Sequence, residues 1–307
     1  MLTSFFSKSK PFNLAAIILL MGLFYIGANF THWENGFNWL EFLEKLGVLL
    51  ILVLSLLVLN FIAKKNELTK RSAYKTLLFT LFCISFFSLL RNESIIIANL
   101  CVLFGLRRII SLKSHISVQK KIFDATFWIC IATLYHFWSV LFLALVFFAI
   151  LNFSSTFKNW LIPFVGFLAV TSLTICFHLI AYDEFYTFSD WFQASNFDFS
   201  KYGELRMLIP LSIFLGLLIW TLFQYFSAIQ KASITRRPVL SMILFGLAIS
   251  AAVAIFSPTK NGSELIFFFI PLSIIASNYF DSKKDKIFKE IILATLILMP
   301  IIVAFFV

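Results

Sequence analysis

The chain has 307 residues, of which 61% are hydrophobic and only 13% are charged, and its mean hydropathy is +0.94. Ordinary soluble domains carry roughly 45–50% apolar and about 25% charged residues, so the composition excludes a soluble globular fold, a disordered chain and a disulfide scaffold, and leaves a polytopic membrane protein. The 25 Lys and Arg against 15 Asp and Glu give a net +10, which in a membrane protein collects in cytoplasmic loops and calls for no nucleic acid.

Residues Met1 to Lys10 place two lysines ahead of an apolar run over 12–29. The run is long enough to span a bilayer and no small-residue cleavage pattern follows it, so it reads as a retained first helix rather than a signal peptide. Further apolar runs cover 46–63, 74–90, 94–106, 122–134, 138–151, 160–181, 207–229, 239–256, 265–280 and 290–307. They predict an all-α polytopic transmembrane helix bundle of about eleven membrane segments. It forms a single integral membrane domain over 1–307, with no soluble domain. Several runs fall short of the ~20 residues that a perpendicular helix needs, so short or re-entrant hairpins are expected, shielded by their neighbours.

Orientation follows from charge. With the N-terminus in the cytoplasm, the outer segments hold only Lys45, Arg91, Lys201, Arg206 and Lys260, and the other 20 of the 25 basic residues lie inside. Acidic residues lean the other way, with ten of the 15 outside. By the positive-inside rule this predicts a cytoplasmic N-terminus and a C-terminus on the outer side of the membrane. The apolar stretch 122–151 is broken only by Asp124 and His136. One crossing there would put the acidic loop 182–206 inside, so two passes or a re-entrant hairpin turning near Tyr135–His136 are predicted. Residues 76–106 repeat the pattern, with short arms on either side of Arg91-Asn92-Glu93.

Four polar clusters fall on the outer face. The first is Thr31-His32-Trp33-Glu34-Asn35, followed by apolar positions 39, 40, 42 and 43, which suit an amphipathic helix lying in the interface over 37–44. Glu34 is the candidate catalytic base. The second is Arg91-Asn92-Glu93, where the guanidinium suits a lipid phosphate. The third is His136 beside Tyr135 and Trp138, a proton-transfer group or phosphate donor. The fourth runs from Ser257 to Glu264, with Lys260 for phosphate and Glu264 to orient it. The bland alternatives are an interfacial connector, a headgroup-level hairpin tip, a satisfied interfacial histidine and a tight Pro-Asn-Gly turn.

Cys83, Cys101, Cys130 and Cys176 lie in apolar runs without CxxC spacing, so neither a disulfide nor a zinc site is expected. The four histidines lack HxxH or HxxxH spacing, which argues against non-haem iron, and no metal or cofactor is expected. Asp124 suits the N-terminus of a short helix. The basic loops 64–75 and 107–121 read as topology determinants that also suit anionic headgroups.

Two resemblances add to this. The stretch Arg91–Asp124, with Arg-Asn-Glu-Ser, Gly-Leu-Arg-Arg and Lys-Lys-Ile-Phe-Asp-Ala, together with Ser-Pro-Thr-Lys-Asn-Gly-Ser-Glu and its following helix, resembles an uncharacterised family of flavobacterial (Bacteroidota) integral membrane proteins. The likeness runs over the whole chain and implies a bacterial inner membrane, so that the outer C-terminus is periplasmic, and no established activity. More distantly, the layout resembles integral-membrane glycosyltransferases of the C type. Glu34, the 37–44 segment, Lys260 and Pro271 occupy comparable places, whereas the acidic pair, the large outer domain and an Arg-Tyr-Leu-Pro-like motif are absent. Three functions follow as alternatives. The first is a non-catalytic cell-envelope component that binds other membrane proteins. The second is an enzyme acting on a lipid-linked glycan or other polyprenyl-phosphate substrate at the outer leaflet. The third is a transporter or flippase. The bilayer is the common partner.

Overall fold

The computed structural model describes residues 2–30, 38–282 and 285–304, and among them there is no β-strand. Glu34 and His32 lie outside the described residues. A short α1 (Leu2–Phe6) precedes α2 (Pro11–Phe30) and α3 (Trp39–Lys65). Asn38 caps α3 by accepting from the Leu40 amide at 3.0 Å, Glu41 sits in its first turn, and Lys64 and Lys65 sit in its last, all in accord with the helix dipole. Of the segment 37–44, expected as a separate interfacial helix, residues 39–44 instead supply the first turns of α3. No proline interrupts the apolar pattern there, so the helix continues unbroken.

Next come α4 (Tyr74–Ile84), α5 (Phe87–Arg91) and α6 (Glu93–Ile110). Every residue of α4 is buried. An 11-residue helix cannot cross a bilayer alone, and its neighbours enclose it, as expected for a short arm. The break between α4 and α5 falls at Ser85, whose hydroxyl donates back to the Leu81 carbonyl at 2.6 Å, a bond that competes with the helical ladder. Asn92 then caps α6, its Oδ1 accepting from the Ile95 amide at 3.2 Å.

The second hairpin breaks at His136, whose extended backbone separates α7 (Val118–Tyr135) from a 3₁₀ turn over Phe137–Phe142 and α8 (Leu143–Phe153). Asp124 does not lie at the start of α7. It is well inside that helix and pairs with Arg108 across to α6 at 3.0 Å. The close approach of α6 to α7 depends on Gly105, where a Cβ would come within 2.9 Å of Ile129 Cγ1. Lipid tails are as apolar as leucine, so such close packing, rather than water exclusion, holds membrane helices together.

After α9 (Phe157–Tyr182) the chain forms the loop that holds α10 (Phe188–Trp191), then α11 (Leu205–Lys231), α12 (Arg237–Phe256), α13 (Ile266–Phe280) and α14 (Lys286–Ala304). α9 is peripheral, with Phe164, Leu168, Phe177 and Ile180 exposed. α13 is central, and nearly all of its residues are buried. A knot of aromatic rings joins α4, α11 and α13. Phe82 meets Phe214 at 4.5 Å, and Phe86 stacks on Phe269 at 5.8 Å.

Seven helical stretches among the described residues are long and apolar enough to cross a membrane, and Tyr74–Ile84 and Phe137–Phe153 are shorter apolar helices. The connections sort into two ends. At one end Arg71 accepts from the Ser9 amide, Glu67 accepts from Arg236, Leu68 accepts from Asn278, and His115 meets Phe153. At the other, Leu90 accepts from Asn29, Lys45 pairs with Glu93, Asn261 accepts from Ser88, and Trp138 donates to Gln193. The first end carries most of the lysines and arginines, and the second carries few of them.

Candidate functional site

The cation-poor end is built from three turns and a long loop. Two of the turns are helix breaks, at Asn92 and His136, and the third joins α12 to α13. The loop after α9 lies over them. Trp138 Nε1 donates to the Gln193 carbonyl and Trp191 Nε1 to the Thr133 carbonyl, each at 3.1 Å.

His136, Lys260 and Glu264 are brought together. The His136 side chain is buried, its ring stacked on Phe267 at 5.5 Å, and it lies within electrostatic reach of Lys260. Lys260 turns inward, and its ammonium donates to the carbonyls of Ala254 at 2.6 Å and Ile255 at 2.7 Å. These are last-turn carbonyls of α12, where a cation complements the helix dipole. Phe199, from the loop, covers the ammonium at 5.1 Å. Burial pulls the Lys260 ammonium below the usual lysine range, and Glu264 partly offsets the pull.

Glu264 is wholly buried, and its Oε1 accepts from the Tyr202 hydroxyl at 2.5 Å. Burial, with the Glu264 carboxylate beside it, pushes the Tyr202 phenol far above its usual range, so the hydroxyl remains a donor. Glu264 Oε2, His136 Nε2, Ser139 Oγ, Ser257 Oγ and both side-chain polar atoms of Asn99 are buried without a hydrogen-bond partner among the described residues. Buried polar atoms of this kind are where ordered water belongs.

The remaining residues divide. Asn92 joins the same turn, its Nδ2 donating to Ser263 Oγ at 3.2 Å. Glu93 pairs with Lys45 and ties α6 to α3. Arg91 is exposed, and its Nε donates to the Ala28 carbonyl at 2.8 Å. It does not share a cavity with Lys260. It lines a separate pocket of about 200 Å³ with Lys201, Glu204, Arg206, Ser88 and Asn261. Lys201 and Arg206 had no role in the sequence reading, which took them as ordinary loop charges. Their only signal there was membership of the five cations assigned to the outer side.

Residues 3–307 match DUF6427, a family of unknown function. The chain belongs to that family. No curated protein and no solved structure matches it.

The cation-rich end of this DUF6427 chain holds an open cleft of about 940 Å³, lined by Lys70, Arg71, Lys286, Lys289, Asp281 and Glu290 among others. Much of that charge is structural. The backbone amide of Lys70 donates to Asp281 Oδ2 at 3.0 Å, and Lys289 Nζ donates to Ser282 Oγ at 2.6 Å. Glu290 accepts from the Thr3 hydroxyl at 2.5 Å and so fastens α1 to α14. Burial raises the Asp281 carboxyl, against the hydrogen bond from the Lys70 amide.

Proposed function

We propose that this protein is a non-catalytic component of the bacterial cell envelope, seated in the inner membrane, that works by binding other membrane proteins. One observation carries the reading: the charged side chains singled out at the cation-poor end are engaged in holding the bundle. Lys260 satisfies the end of α12, Glu264 is tied to Tyr202, Glu93 to Lys45, and Arg91 to the end of α2. A catalytic carboxylate must reach the proton that it moves. Glu264 is enclosed and Glu93 is ion-paired.

The sorting of connections into two ends supports eleven alternating segments. The cation asymmetry supports a cytoplasmic N-terminus and a periplasmic C-terminus. Native purification of tagged protein is expected to retain a membrane partner in fixed stoichiometry, and a reporter fused to the C-terminus is expected to read as periplasmic. A clean monomer would remove the partner-binding role, and a cytoplasmic reporter would remove the orientation.

A second reading is an enzyme acting on a polyprenyl-phosphate substrate, favoured by the three cations around the 200 Å³ pocket. It puts the catalytic base at Glu34. Glu34→Gln is then expected to abolish modification of the substrate while leaving the protein inserted and folded. Unchanged modification by that variant would eliminate this reading.

A further inference from the structure

Cations are scarce at one end of this bundle. Of the five that the charge pattern assigns there, three converge on one pocket. Arg91 comes from the end of α5, Lys201 from the turn within the long loop, and Arg206 from the first turn of α11. Like charges are not gathered without a counter-charge, because each repels the others at short range. Among the described residues the carboxylate lining the pocket is that of Glu204, and it is engaged by Arg206 Nε at 2.6 Å. Arg91 uses its Nε on the Ala28 carbonyl, and its terminal nitrogens have no acceptor among the described residues. Lys201 Nζ has no hydrogen-bond partner among them either, and the nearby Asp198 lies within its electrostatic reach. The described lining residues therefore carry a net excess of two positive charges, with Ser85, Ser88 and Asn261 alongside. Phe86, Phe87, Met207 and Val303 make up the apolar part.

We propose that Arg91, Lys201 and Arg206 form a binding site for a phosphate group, carried either by a lipid headgroup or by free phosphate. An excess of two positive charges complements a phosphate monoester dianion. The free edge of a guanidinium offers the parallel donors that phosphate oxygens accept. At about 200 Å³ the pocket is smaller than the roughly 300–1,000 Å³ of sites that enclose a whole drug-sized ligand. Its size suits a phosphate group rather than a whole lipid. This site stands whether the protein works by binding or by chemistry, because it uses neither Glu34 nor the Lys260–Glu264 set.

The test uses the full chain in detergent micelles, with inorganic phosphate and dioctanoyl phosphatidic acid as probes, followed by titration calorimetry at low and high salt. Saturable binding is expected, weakening as salt rises. Lys201→Gln removes an exposed side chain that makes no hydrogen bond among the described residues, so the thermal midpoint is expected to stay unchanged. It is expected to weaken binding at least fivefold, Lys201→Arg less than twofold, and Arg91→Gln with Lys201→Gln more than twentyfold. Lys113→Gln, at the opposite end, leaves affinity unaltered. Phosphatidic acid binding far more tightly than inorganic phosphate identifies a lipid source, and comparable affinities identify free phosphate. Either result upholds the site. Absence of saturable binding to both probes overturns it, as does binding that Lys201→Gln weakens less than fivefold.

Discussion

Lys260→Met is expected to destabilise the protein by roughly 2 kcal/mol, the scale set by leaving two part-buried carbonyls without their charged donor. The side chain is almost fully buried, and its ammonium is the donor to both Ala254 and Ile255. Methionine fills a similar volume, so the loss reports the polar contacts rather than a cavity. It also leaves Glu264 without the nearest cation that offsets its burial. Thermal unfolding in detergent, followed by tryptophan fluorescence, is expected to shift down by several degrees. Lys260→Arg, which keeps the charge and its donors, is expected to lose less than half as much. If Lys260→Met unfolds with wild-type stability, water already serves those carbonyls and the lysine is not a cap.

Gly262→Val carries the other large effect. Gly262 has φ +87°, a left-handed conformation that costs an L residue roughly 1–2 kcal/mol and a β-branched one more. A Cβ there would also lie 2.7 Å from Phe86 Cδ1 and 3.0 Å from Met207 Cε, and overpacking of that kind costs about 1–3 kcal/mol. The sum, roughly 2–5 kcal/mol, is expected to remove most folded protein from a detergent extract, as read by size-exclusion chromatography. Gly216→Ala is the control. It lies inside α11 with nothing within 4 Å of the added carbon, so it is expected to be neutral or slightly stabilising. Because Phe86, Met207 and Asn261 all line the phosphate pocket, any Gly262→Val protein that does fold is expected to bind phosphate more weakly.

The membrane character and the helix breaks were legible because they rest on local signals. Hydropathy summed over a window needs no tertiary information. His136 and Asn92 interrupt apolar runs, and both mark real breaks between helices. The short arms were legible as arms in need of shielding, and α4 is enclosed on all sides. The predicted helix over 37–44 was a different case. Its amphipathic pattern is real, and Trp39, Leu40 and Leu43 are exposed. An exposed face, however, does not tell a helix lying in the interface from the first turns of one that crosses.

The candidate site was partly legible. Asn92, His136, Lys260 and Glu264 do meet at one end, linked through Ser263, Phe267 and the α12–α13 turn. The sequence does not say which way Lys260 faces. That depends on the orphan carbonyls at the end of α12, which lie within reach only once the turn has folded back. Asp124 shows the same limit. Its charge suited a helix start, and its partner proved to be Arg108 on the neighbouring helix.

On its own, the order of residues was enough to establish an apolar, helical, membrane-type chain, the division of its loops by charge, and the helix breaks at Asn92 and His136, since each depends on neighbours a few positions apart. Tertiary packing alone decided that Arg91 stands beside Lys201 and Arg206, about a hundred residues downstream, and that Lys260 is occupied elsewhere. The physical reason is that helix periodicity and hydropathy are blind to which helix ends become neighbours. That choice is made by close contacts such as Gly105 against Ile129 and by the rings of Phe82, Phe86, Phe214 and Phe269.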